Sequence, residues 1–394
     1  MEETVPLAVY VLGLSVFALG TSEFMITGLL PGMATDLGVS IPDTGLLISA
    51  FAIGMVVGAP LLAAGTLRLP RRTTLLALLV VFGASHVVGA LAQGYALLFA
   101  TRVLSAFACA GFWAVGAATT ISLVPEQRRG RALAVLVGGL TVANIVGVPA
   151  GTFIGQHAGW RAAFWAVAAL TAVAAVGVAA LVPTTRAGTG APRLRTELQL
   201  YRRPRVWLAL GVIALCQAMI FATFSYLAPL LTETYGLPSS WVPGVLALFG
   251  VGALAGITLG GKLADARPFA TLYGSVGLAV LALLVLAVTD DATVAVIAII
   301  AFGAAGFAAN PALNVRTYAV AGDAPTLVGA STTSAFNVGN TAGPWLGGLA
   351  IDAGLGFPSV AWVGAVLGAA TLAALTLAAV VQRADDAKRV PVHV

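Results

Sequence analysis

Twelve long apolar stretches recur along the 394 residues of this sequence, and they restrict its possible folds more than any other feature. A helix of about 20 residues crosses the hydrocarbon core of a bilayer, which is roughly 30 Å thick. Only 9% of the residues are charged, whereas soluble domains carry roughly 25%. The sequence therefore predicts an all-α membrane protein whose twelve transmembrane helices cover 7–31, 44–66, 74–93, 96–121, 132–155, 161–183, 206–231, 241–263, 270–288, 293–315, 326–351 and 358–381.

The longest connection between these stretches divides them into two sets of six. We expect residues 1–183 to form an N-terminal six-helix bundle and residues 184–205 to form a cytoplasmic linker. Residues 206–394 are expected to form a C-terminal six-helix bundle with a short cytoplasmic tail. The first stretch follows the segment MEETV, which has no basic residue, and it is too long for the apolar region of a cleaved signal peptide. We therefore expect it to be a transmembrane helix.

The net charge of +5 comes from basic residues in the connections on one side of the predicted membrane. They include Arg68, Arg71, Arg72, Arg128, Arg129, Arg131, Arg186, Arg193, Arg195, Lys262 and Arg267. The other side holds one arginine, Arg161, and the carboxylates of Asp36, Asp43, Glu233, Asp290, Asp291 and Asp352. This positive-inside pattern predicts a multi-pass membrane protein with both termini in the cytoplasm. The same distribution argues against a nucleic-acid partner.

The two halves of the sequence resemble each other. Gly65 and Gly261 begin similar segments 196 positions apart, and Asn144 and Asn340 begin another pair at the same separation. Internal repeats are a recurring feature of transporters, whose substrate site lies between the repeats near the middle of the membrane. The repeat therefore favours a carrier over a channel, although a pore stays open as an alternative.

Three ionisable residues lie inside the predicted spans of the first half, and the second half has no counterpart to them. They are Glu23, His86 and Arg102, at similar predicted depths of roughly 9 to 12 Å. A charge at the bilayer centre costs about 3 to more than 10 kcal/mol, depending on the method. We therefore expect the three side chains to share one functional polar pocket.

Their chemistry suggests a role in proton coupling. Burial disfavours the ionised form of a carboxylate and a nearby cation favours it, so Glu23 between these influences could bind and release a proton. Its alternative is a structural hydrogen bond to a neighbouring helix. Arg102 stays charged, so it could set the proton affinity of Glu23 or anchor polar groups. His86 could relay protons, but a neutral histidine hydrogen-bonded to another helix is equally consistent with the sequence.

A second group of polar and aromatic residues is predicted to bind substrate. Trp113 shares one helix face with Arg102, Ala106 and Cys109, because the spacing is 4, 3 and 4 residues. Amide side chains inside a membrane need hydrogen-bonding partners, which can be other helices or a substrate. Asn310 and Asn314 belong to this amide group, and the candidates for substrate binding are Trp113, Asn144, Gln217, Tyr226, Asn337 and Asn340.

Small residues and prolines are predicted to permit movement between helices. Small side chains let helices approach closely, and a buried proline bends a helix. The residues to which we assign a conformational role on this basis are Gly65, Gly147, Pro149, Gly151, Gly261, Gly343 and Pro344.

Four segments together resemble the major facilitator superfamily, in particular its twelve-helix drug:proton antiporters. They are TSEFMITGLLPGMATDLGVS, TRVLSAFACAGFWAVG, NIVGVPAGTFIG and GWRAAFW. The resemblance covers essentially the whole chain, and among the branches of the group it is closest to the chloramphenicol exporters. It implies that Arg102 takes part in proton transfer and that the segment beginning at Asn144 supports exchange rather than uptake. It also implies that the protein lies in the bacterial inner membrane.

One segment departs from the family pattern. The resemblance implies an aspartate between the second and third helices, four residues after Gly65, but Leu69 stands there. The second copy of the repeat keeps an aspartate, Asp265, after Gly261. We therefore assign the conformational role at the cytoplasmic side to Asp265, and an ordinary solvated loop charge is its alternative.

These observations predict proton-driven export of a small neutral drug by alternating access. A phenicol such as chloramphenicol is favoured by the resemblance, and sugars or nucleosides are alternatives. An enzyme is not favoured, because the buried ionisable residues are few and show no metal-binding or acid–base spacing. No Gly-Lys-Ser/Thr sequence for nucleotide binding is present. We expect a monomer in the lipid bilayer, with protons and a drug as partners and with no cofactor and no metal.

Overall fold

The computed structural model describes residues 6–66, 69–184, 203–321 and 325–389, and these ranges are helical almost throughout, with no strand. Eleven stretches in them are long and apolar enough to cross a membrane. The remaining predicted span, 326–351, is also a helix, Pro325–Ala350. The prediction of an all-α membrane protein is confirmed.

The described residues of the first half form eight helices, two pairs of which together form single membrane crossings. They are α1 (Leu7–Phe24), α2 (Ile26–Leu37), α3 (Ile41–Gly65), α4 (Arg71–Leu91), α5 (Tyr95–Ser122), α6 (Arg129–Val142), α7 (Val148–Ala158) and α8 (Trp160–Leu181). A π-helical turn, Ala143–Gly147, joins α6 to α7.

Six long helices occur in the part of the second half that the structure describes. They are α9 (Pro204–Phe224), α10 (Val242–Ala266), α11 (Pro268–Val288), α12 (Ala292–Ala321), α13 (Pro325–Ala350) and α14 (Ser359–Arg389). Two further π-helical turns, Leu230–Thr234 and Ile351–Leu355, follow the short helix Leu227–Pro229 and α13. Most predicted boundaries lie within a few residues of these.

Local sequence explains where several helices begin and end. Ser40 caps α3: its hydroxyl accepts from the Asp43 backbone N–H at 3.1 Å, and the Asp43 carboxylate faces the Ser40 backbone N–H in return. This reciprocal pair satisfies N–H groups that have no partner within the helix. Gly38, with φ of 64°, ends α2 in the left-handed conformation that glycine adopts without strain.

The first crossing differs from the prediction, which ended it at Pro31. The helix is interrupted at Met25 and then continues to Leu37 with Pro31 inside α2. A proline removes one backbone hydrogen bond and bends a helix, but in membrane proteins neighbouring helices and local turns compensate for it. Glu23 is therefore roughly 20 Å from the end of α2 at 1.5 Å per residue, deeper than the sequence predicted.

One end of the bundle, which we call the acidic face, is defined by Asp36, Asp43 and Arg161. Arg161 donates to the Asp36 carboxylate and, at 2.9 Å, to the carbonyl of Ala92. The Trp160 indole N–H also donates to Asp36, at 3.0 Å. These donors, Arg161 first, hold the pKa of Asp36 below its ordinary value. The contacts join the end of α2 to the end of α4 and the start of α8.

The opposite end, which we call the arginine face, is defined by Arg71 and Arg72. Both residues lie at the start of α4. The Arg71 guanidinium donates to the carbonyl of Ala118 near the end of α5, at 3.1 Å. Arg72 donates to the carbonyl of Ala179 near the end of α8. Basic side chains thus satisfy the carbonyl groups that a helix end leaves without partners.

The packing of the first half is repeated in the second. In the first half α1 packs on α6 and α8, α3 on α5, and α4 on α5 and α8. The equivalent pairs of the second half are α9 on α13 and α14, α10 on α12, and α11 on α12 and α14. The internal repeat of the sequence therefore corresponds to two pseudo-symmetric six-helix bundles.

The two halves meet mainly through α3 against α13 and through α7 against α10. The Ser49 hydroxyl of α3 donates to the Thr341 carbonyl of α13 at 2.9 Å. The Gln156 side chain of α7 donates to the Ser239 carbonyl, just before α10, at 2.7 Å. Ser49, Gln156 and Ser239 all lie nearer to the acidic face than to the arginine face, so these contacts hold the halves together at the acidic face.

Glycines allow α1 and α6 to touch through their backbones. A Cβ atom at Gly139 of α6 would overlap the carbonyl oxygen of Gly13 in α1. A Cβ atom at the adjacent Gly138 would meet no atom within 4 Å. Two neighbouring glycines in one helix therefore differ completely in their packing.

This difference gives a prediction on stability. We expect Gly139→Ala to destabilise the protein by about 1 to 3 kcal/mol, because the added methyl group forces two backbones apart. The midpoint of thermal unfolding in detergent measures the effect. The matched control is Gly138→Ala, which we expect to leave the midpoint unchanged or raise it slightly, and equal midpoints in the two variants would contradict this account of α1 and α6.

Candidate functional site

Three helices of the first half bring the predicted ionisable residues together. Glu23 lies at the end of α1, next to the interruption at Met25, and its side chain is partly exposed. His86 of α4 and Arg102 of α5 are buried, each with 1% of its surface exposed. An arginine this deeply buried needs hydrogen-bonding partners, because desolvation of a charge is costly.

Arg102 and His86 are joined through a residue that the sequence analysis did not single out, Ser22. The Arg102 Nη1 group donates to the Ser22 Oγ atom at 2.9 Å, and the same oxygen lies 2.5 Å from His86 Nε2. His86 Nδ1 lies 2.8 Å from the carbonyl oxygen of Phe82. The only signal for Ser22 in the sequence is its position directly before Glu23.

Glu23 and Arg102 influence each other without direct contact. Each contributes an electrostatic interaction to the other, but Glu23 forms no ion pair within the ranges that the structure describes. The Nε and Nη2 atoms of Arg102 have no hydrogen-bond partner, and its guanidinium lies 4.4 Å from the centre of the Phe51 ring. Two N–H groups of Arg102 are therefore available to a carboxylate that moves toward them.

Aromatic side chains from the other half face the end of α1. The Phe24 ring lies 5.6 Å from that of Phe221 and 6.4 Å from that of Phe224, both on α9. Phe224 stacks in turn on Phe249 of α10 at 4.7 Å. Glu23 therefore directly precedes, in α1, the residue that makes an apolar contact between the two halves.

Two predicted substrate-binding residues of the first half have different surroundings. Trp113 of α5 is partly buried and packs against the core. Asn144 lies in the π-helical turn and donates to the Leu140 carbonyl at 3.2 Å. Its own backbone carbonyl oxygen would lie 2.8 Å from a Cβ atom at Gly250 of α10. Asn144 is thus part of the contact between the halves, and substrate binding by both residues stays a prediction.

The second half presents amide oxygens that have no partner. Gln217 of α9 and Asn337 and Asn340 of α13 are 4% to 7% exposed, and their side-chain oxygens accept no hydrogen bond. Asn337 donates its amide N–H to the Thr333 carbonyl at 3.0 Å, which leaves its oxygen as an acceptor. Asn310 of α12, which was in the amide group but not among the candidates, also has an unpartnered oxygen. These four residues form the acceptor group.

Contacts between helices place part of the acceptor group at one level. A Cβ atom at Gly339 of α13 would lie 2.5 Å from the Gln217 Cβ atom, so Gln217 lies at the level of the residue that precedes Asn340. One turn further along α9, Ile220 faces Gly306 of α12, which is one turn from Asn310. Hydrogen-bond donors of a ligand are the groups that such oxygens can bind.

Tyr226 has the surroundings of a structural residue. It is fully buried, and its hydroxyl donates to the Pro344 carbonyl of α13 at 2.8 Å. Cβ atoms added at Gly45 of α3 or at Gly348 of α13 would collide with the Tyr226 hydroxyl. The side chain thus fills a slot between α3 and α13, and its predicted role in substrate binding is not tested by this geometry.

The predicted conformational residues fall into two groups. Gly147 and Gly151 pack closely against Thr21 and Met25, the residues on either side of Ser22 and Glu23. Gly343 similarly lies against the Ala218 carbonyl of α9. Pro149 follows the π-helical turn, and Pro344 lies inside α13.

Gly65 and Gly261 show no such packing, since a Cβ atom at either would meet nothing within 4 Å. A close helix contact therefore does not explain these two glycines. The side chain of Asp265, which we assigned the same role, lies outside the described residues. No group of three or more possible metal ligands occurs in the described part of the chain.

The repeated bundles and the polar residues at their contact define a multi-spanning membrane carrier. Comparison with known proteins gives the same class. The family model of the Major Facilitator Superfamily matches residues 12–335. The chain belongs to this superfamily.

Several known proteins are similar to this chain over nearly their whole length. The "Chloramphenicol resistance protein" of Streptomyces lividans is 43% identical and covers 93% of this chain and 95% of its own. The "Inner membrane transport protein YdhP" of Escherichia coli (strain K12) is 37% identical, with 90% and 92% covered. The "Probable sugar efflux transporter" of Mannheimia succiniciproducens is 30% identical, with 92% and 91% covered.

Solved structures share the fold at low sequence identity. A bacterial homolog of the human lysosomal transporter Spinster, in an inward-facing and unoccupied conformation, is similar with a TM-score of 0.72, 20% identity and 96% of both chains covered. The nucleoside transporter NupG has a TM-score of 0.73 at 14% identity, with 95% of this chain and 100% of that chain covered. The major facilitator fold predicted from the sequence is confirmed.

The surroundings of Tyr226 give a second prediction. We expect Tyr226→Phe to lower the midpoint of thermal unfolding, since the Pro344 carbonyl loses a donor worth about 1 kcal/mol. We expect the substrate concentration that gives half-maximal transport to stay the same. A weaker apparent affinity at unchanged stability would instead support the predicted role of Tyr226 in substrate binding.

Proposed function

We propose that this protein is a proton-coupled antiporter that exports a small neutral drug across the bacterial cell membrane. The first candidate for the drug is a phenicol such as chloramphenicol. The observation that carries the proposal is the arrangement of Glu23 and Arg102. Glu23 is partly exposed and has no ion-pair partner among the described residues, while Arg102 nearby keeps two N–H groups without partners. Such an unpaired carboxylate inside a membrane bundle is well suited to bind and release a proton.

The position of Glu23 links its charge to the shape of the protein. A protonated Glu23 is neutral and tolerates the apolar contact between Phe24 and the α9 phenylalanines. An ionised Glu23 is stabilised by the free N–H groups of Arg102 and by access to water, both of which pull α1 away from that contact. We propose that this difference biases the opening of the two bundles, residues 1–183 and 206–394, to opposite sides.

The direction of transport follows from the charge asymmetry. We propose that the arginine face is cytoplasmic, as the positive-inside rule predicts, and that both termini lie there. The halves are held together at the acidic face by the Ser49 and Gln156 hydrogen bonds. With this orientation, the present conformation opens toward the cytoplasm, where a drug to be exported is bound.

The proton gradient supplies enough energy for useful export. If the drug is neutral and one proton enters, the driving force is about 2.3 kcal/mol per 100 mV of membrane potential. Each unit of pH difference adds about 1.4 kcal/mol. A total of roughly 3 to 4 kcal/mol sustains a drug gradient of a few hundredfold, since 1.4 kcal/mol corresponds to tenfold.

The acceptor group supports a neutral substrate that carries hydroxyl or amide N–H donors. Chloramphenicol carries two hydroxyls and one amide N–H, and the relative from Streptomyces lividans is named for chloramphenicol resistance. Sugars also present many hydroxyl donors, and the relative from Mannheimia succiniciproducens is named a sugar efflux transporter. Export of a sugar is therefore the second candidate. We expect the protein to act as a monomer.

The decisive experiment on proton coupling uses Glu23→Gln in a host without its own drug exporters. We expect wild-type cells to accumulate less labelled chloramphenicol than empty cells, and an uncoupler to remove the difference. Glu23→Gln should lose energised export, because its side chain cannot release a proton. The control is Glu233→Gln, which removes an exposed carboxylate outside the site. Export by the wild type that is insensitive to the uncoupler would refute proton coupling.

A pair of drugs tests the acceptor group. Florfenicol differs from thiamphenicol only in having fluorine in place of one hydroxyl. We expect export to be about 5- to 100-fold less efficient for florfenicol, since a buried polar group left without its partner costs about 1 to 3 kcal/mol. Asn340→Leu should reduce this difference. If cells with and without the protein are equally resistant to every phenicol, the proposal that a phenicol is the substrate is contradicted, and the sugar alternative is favoured.

A further inference from the structure

The hydrogen bonds around Ser22 have only one consistent direction. The carbonyl oxygen of Phe82 can only accept, so His86 Nδ1, 2.8 Å away, carries a hydrogen atom. Arg102 has no acceptor atom, so its Nη1 group donates to Ser22 at 2.9 Å. The single hydroxyl hydrogen of Ser22 then points to His86 Nε2, which lies 2.5 Å from the Ser22 oxygen. The hydrogen bonds therefore form a chain that runs from Arg102 to Ser22, then to His86, and ends at the Phe82 carbonyl.

This direction requires a neutral His86. A histidine protonated at both nitrogens would donate to Ser22 from Nε2, and the Ser22 oxygen would then receive donors from two cations. Its own hydroxyl hydrogen would have no acceptor. The His86 ring also lies between the rings of Phe82 and Phe164, whose centres are 4.3 Å and 5.6 Å away, and these offer no charge to balance a second cation.

This hydrogen-bond chain restrains the position of Arg102. Its guanidinium makes one hydrogen bond, to Ser22, and rests on the Phe51 ring, while Nε and Nη2 stay without partners. Ser22 precedes Glu23 in α1, so the same hydroxyl also fixes Arg102 relative to the helix that carries the carboxylate. Without this hydrogen bond, no described polar side chain would keep Arg102 from turning toward Glu23.

We propose that Ser22 is a positioning residue for proton coupling: its hydroxyl, oriented by neutral His86, keeps Arg102 out of contact with Glu23 and leaves two arginine N–H groups to receive the carboxylate later. His86 acts in this arrangement as a fixed acceptor and does not carry the proton. The proposal rests on the proposed role of Glu23. It selects the neutral, hydrogen-bonded form of His86 from the two alternatives that the sequence leaves open.

The surroundings contain few other groups that titrate. Away from the ends of the helices packed around this hydrogen-bond chain, the titratable side chains are Glu23 on α1, His86 on α4, Arg102 and Cys109 on α5, and Cys216 on α9. The first turns of these helices carry Tyr10, Asp43, Arg71, Arg72, Tyr95, Arg161 and Arg205. The neighbouring helices α3, α8 and α9 contribute the rings of Phe51, Phe164 and Phe221. A pH-dependent signal from Glu23 is thus governed mainly by the distance between its carboxylate and Arg102.

A measurement that needs no substrate tests the proposal. Infrared spectroscopy of the full-length protein in lipid follows the C=O stretch of protonated carboxyl groups as the pH changes, and the part of the band absent from Glu23→Gln belongs to Glu23. We expect Ser22→Ala to move the midpoint of this titration to lower pH by about one unit, because Arg102 turns toward Glu23 and a close cation favours the ionised form. An unmoved midpoint in Ser22→Ala overturns the proposal.

Matched variants separate positioning from packing. Ser15→Ala changes an equally buried serine of α1 whose hydroxyl donates to its own helix, at the Val11 carbonyl, so the midpoint should not move. Ser22→Thr keeps the hydroxyl and should restore the wild-type midpoint. A shift in Ser15→Ala as large as that in Ser22→Ala would show a general packing effect and overturn the proposal.

Two variants of His86 provide an independent test in case Ser22→Ala does not fold. His86→Leu removes the acceptor and should shift the midpoint as Ser22→Ala does, whereas the amide oxygen of His86→Gln can still accept from Ser22 and should shift it less. Equal midpoints in the two His86 variants overturn the proposal while leaving proton coupling through Glu23 intact. If Glu23→Gln removes no part of the band, the proposed function fails, and this inference fails with it.

Discussion

The burial of one arginine is the constraint on which the site depends. Arg102 has 1% of its surface exposed and a single hydrogen bond, to Ser22. A cation in such a position is stabilised by the Phe51 ring and by the electrostatic influence of Glu23, both of which lie on other helices. Any movement of α1 or α3 relative to α5 therefore changes the energy of this charge, which makes the site sensitive to the arrangement of the bundle.

Close packing connects the site to neighbouring helices. Around the site, the side chains of Thr21 and Met25 pack directly against the backbone at Gly147 and Gly151. Packed interfaces of this kind have discrete arrangements and do not deform continuously. The π-helical turn beside them gives α6 and α7 a natural point of bending. A shift of α1 at Glu23 is therefore passed directly to the helix pair that meets α10 of the other half.

Much of the fold follows from the sequence, because helix length and apolar composition are local properties. The spans, the repeat and the three ionisable residues could all be found in this way. The continuation of α2 to Leu37 could not, since neighbouring helices decide whether a chain bends or stops at Pro31. Ser22 was also missed, because one serine among many gains its meaning only from His86 and Arg102, which are 64 and 80 residues away.

The distribution of polar groups between the halves restricts the mechanism of coupling. The packing of the bundles is repeated, but Glu23, His86 and Arg102 lie in the first half, and the unpartnered amide oxygens of Gln217, Asn310, Asn337 and Asn340 lie in the second. In the proposed function, a neutral drug held by amide oxygens of α9, α12 and α13 has no charge with which Glu23 could interact directly. Competition for one binding position therefore would not explain the proposed exchange of proton and drug. We propose that the two events are linked through the relative position of the bundles, which the Phe24 contact and a bound drug would both affect.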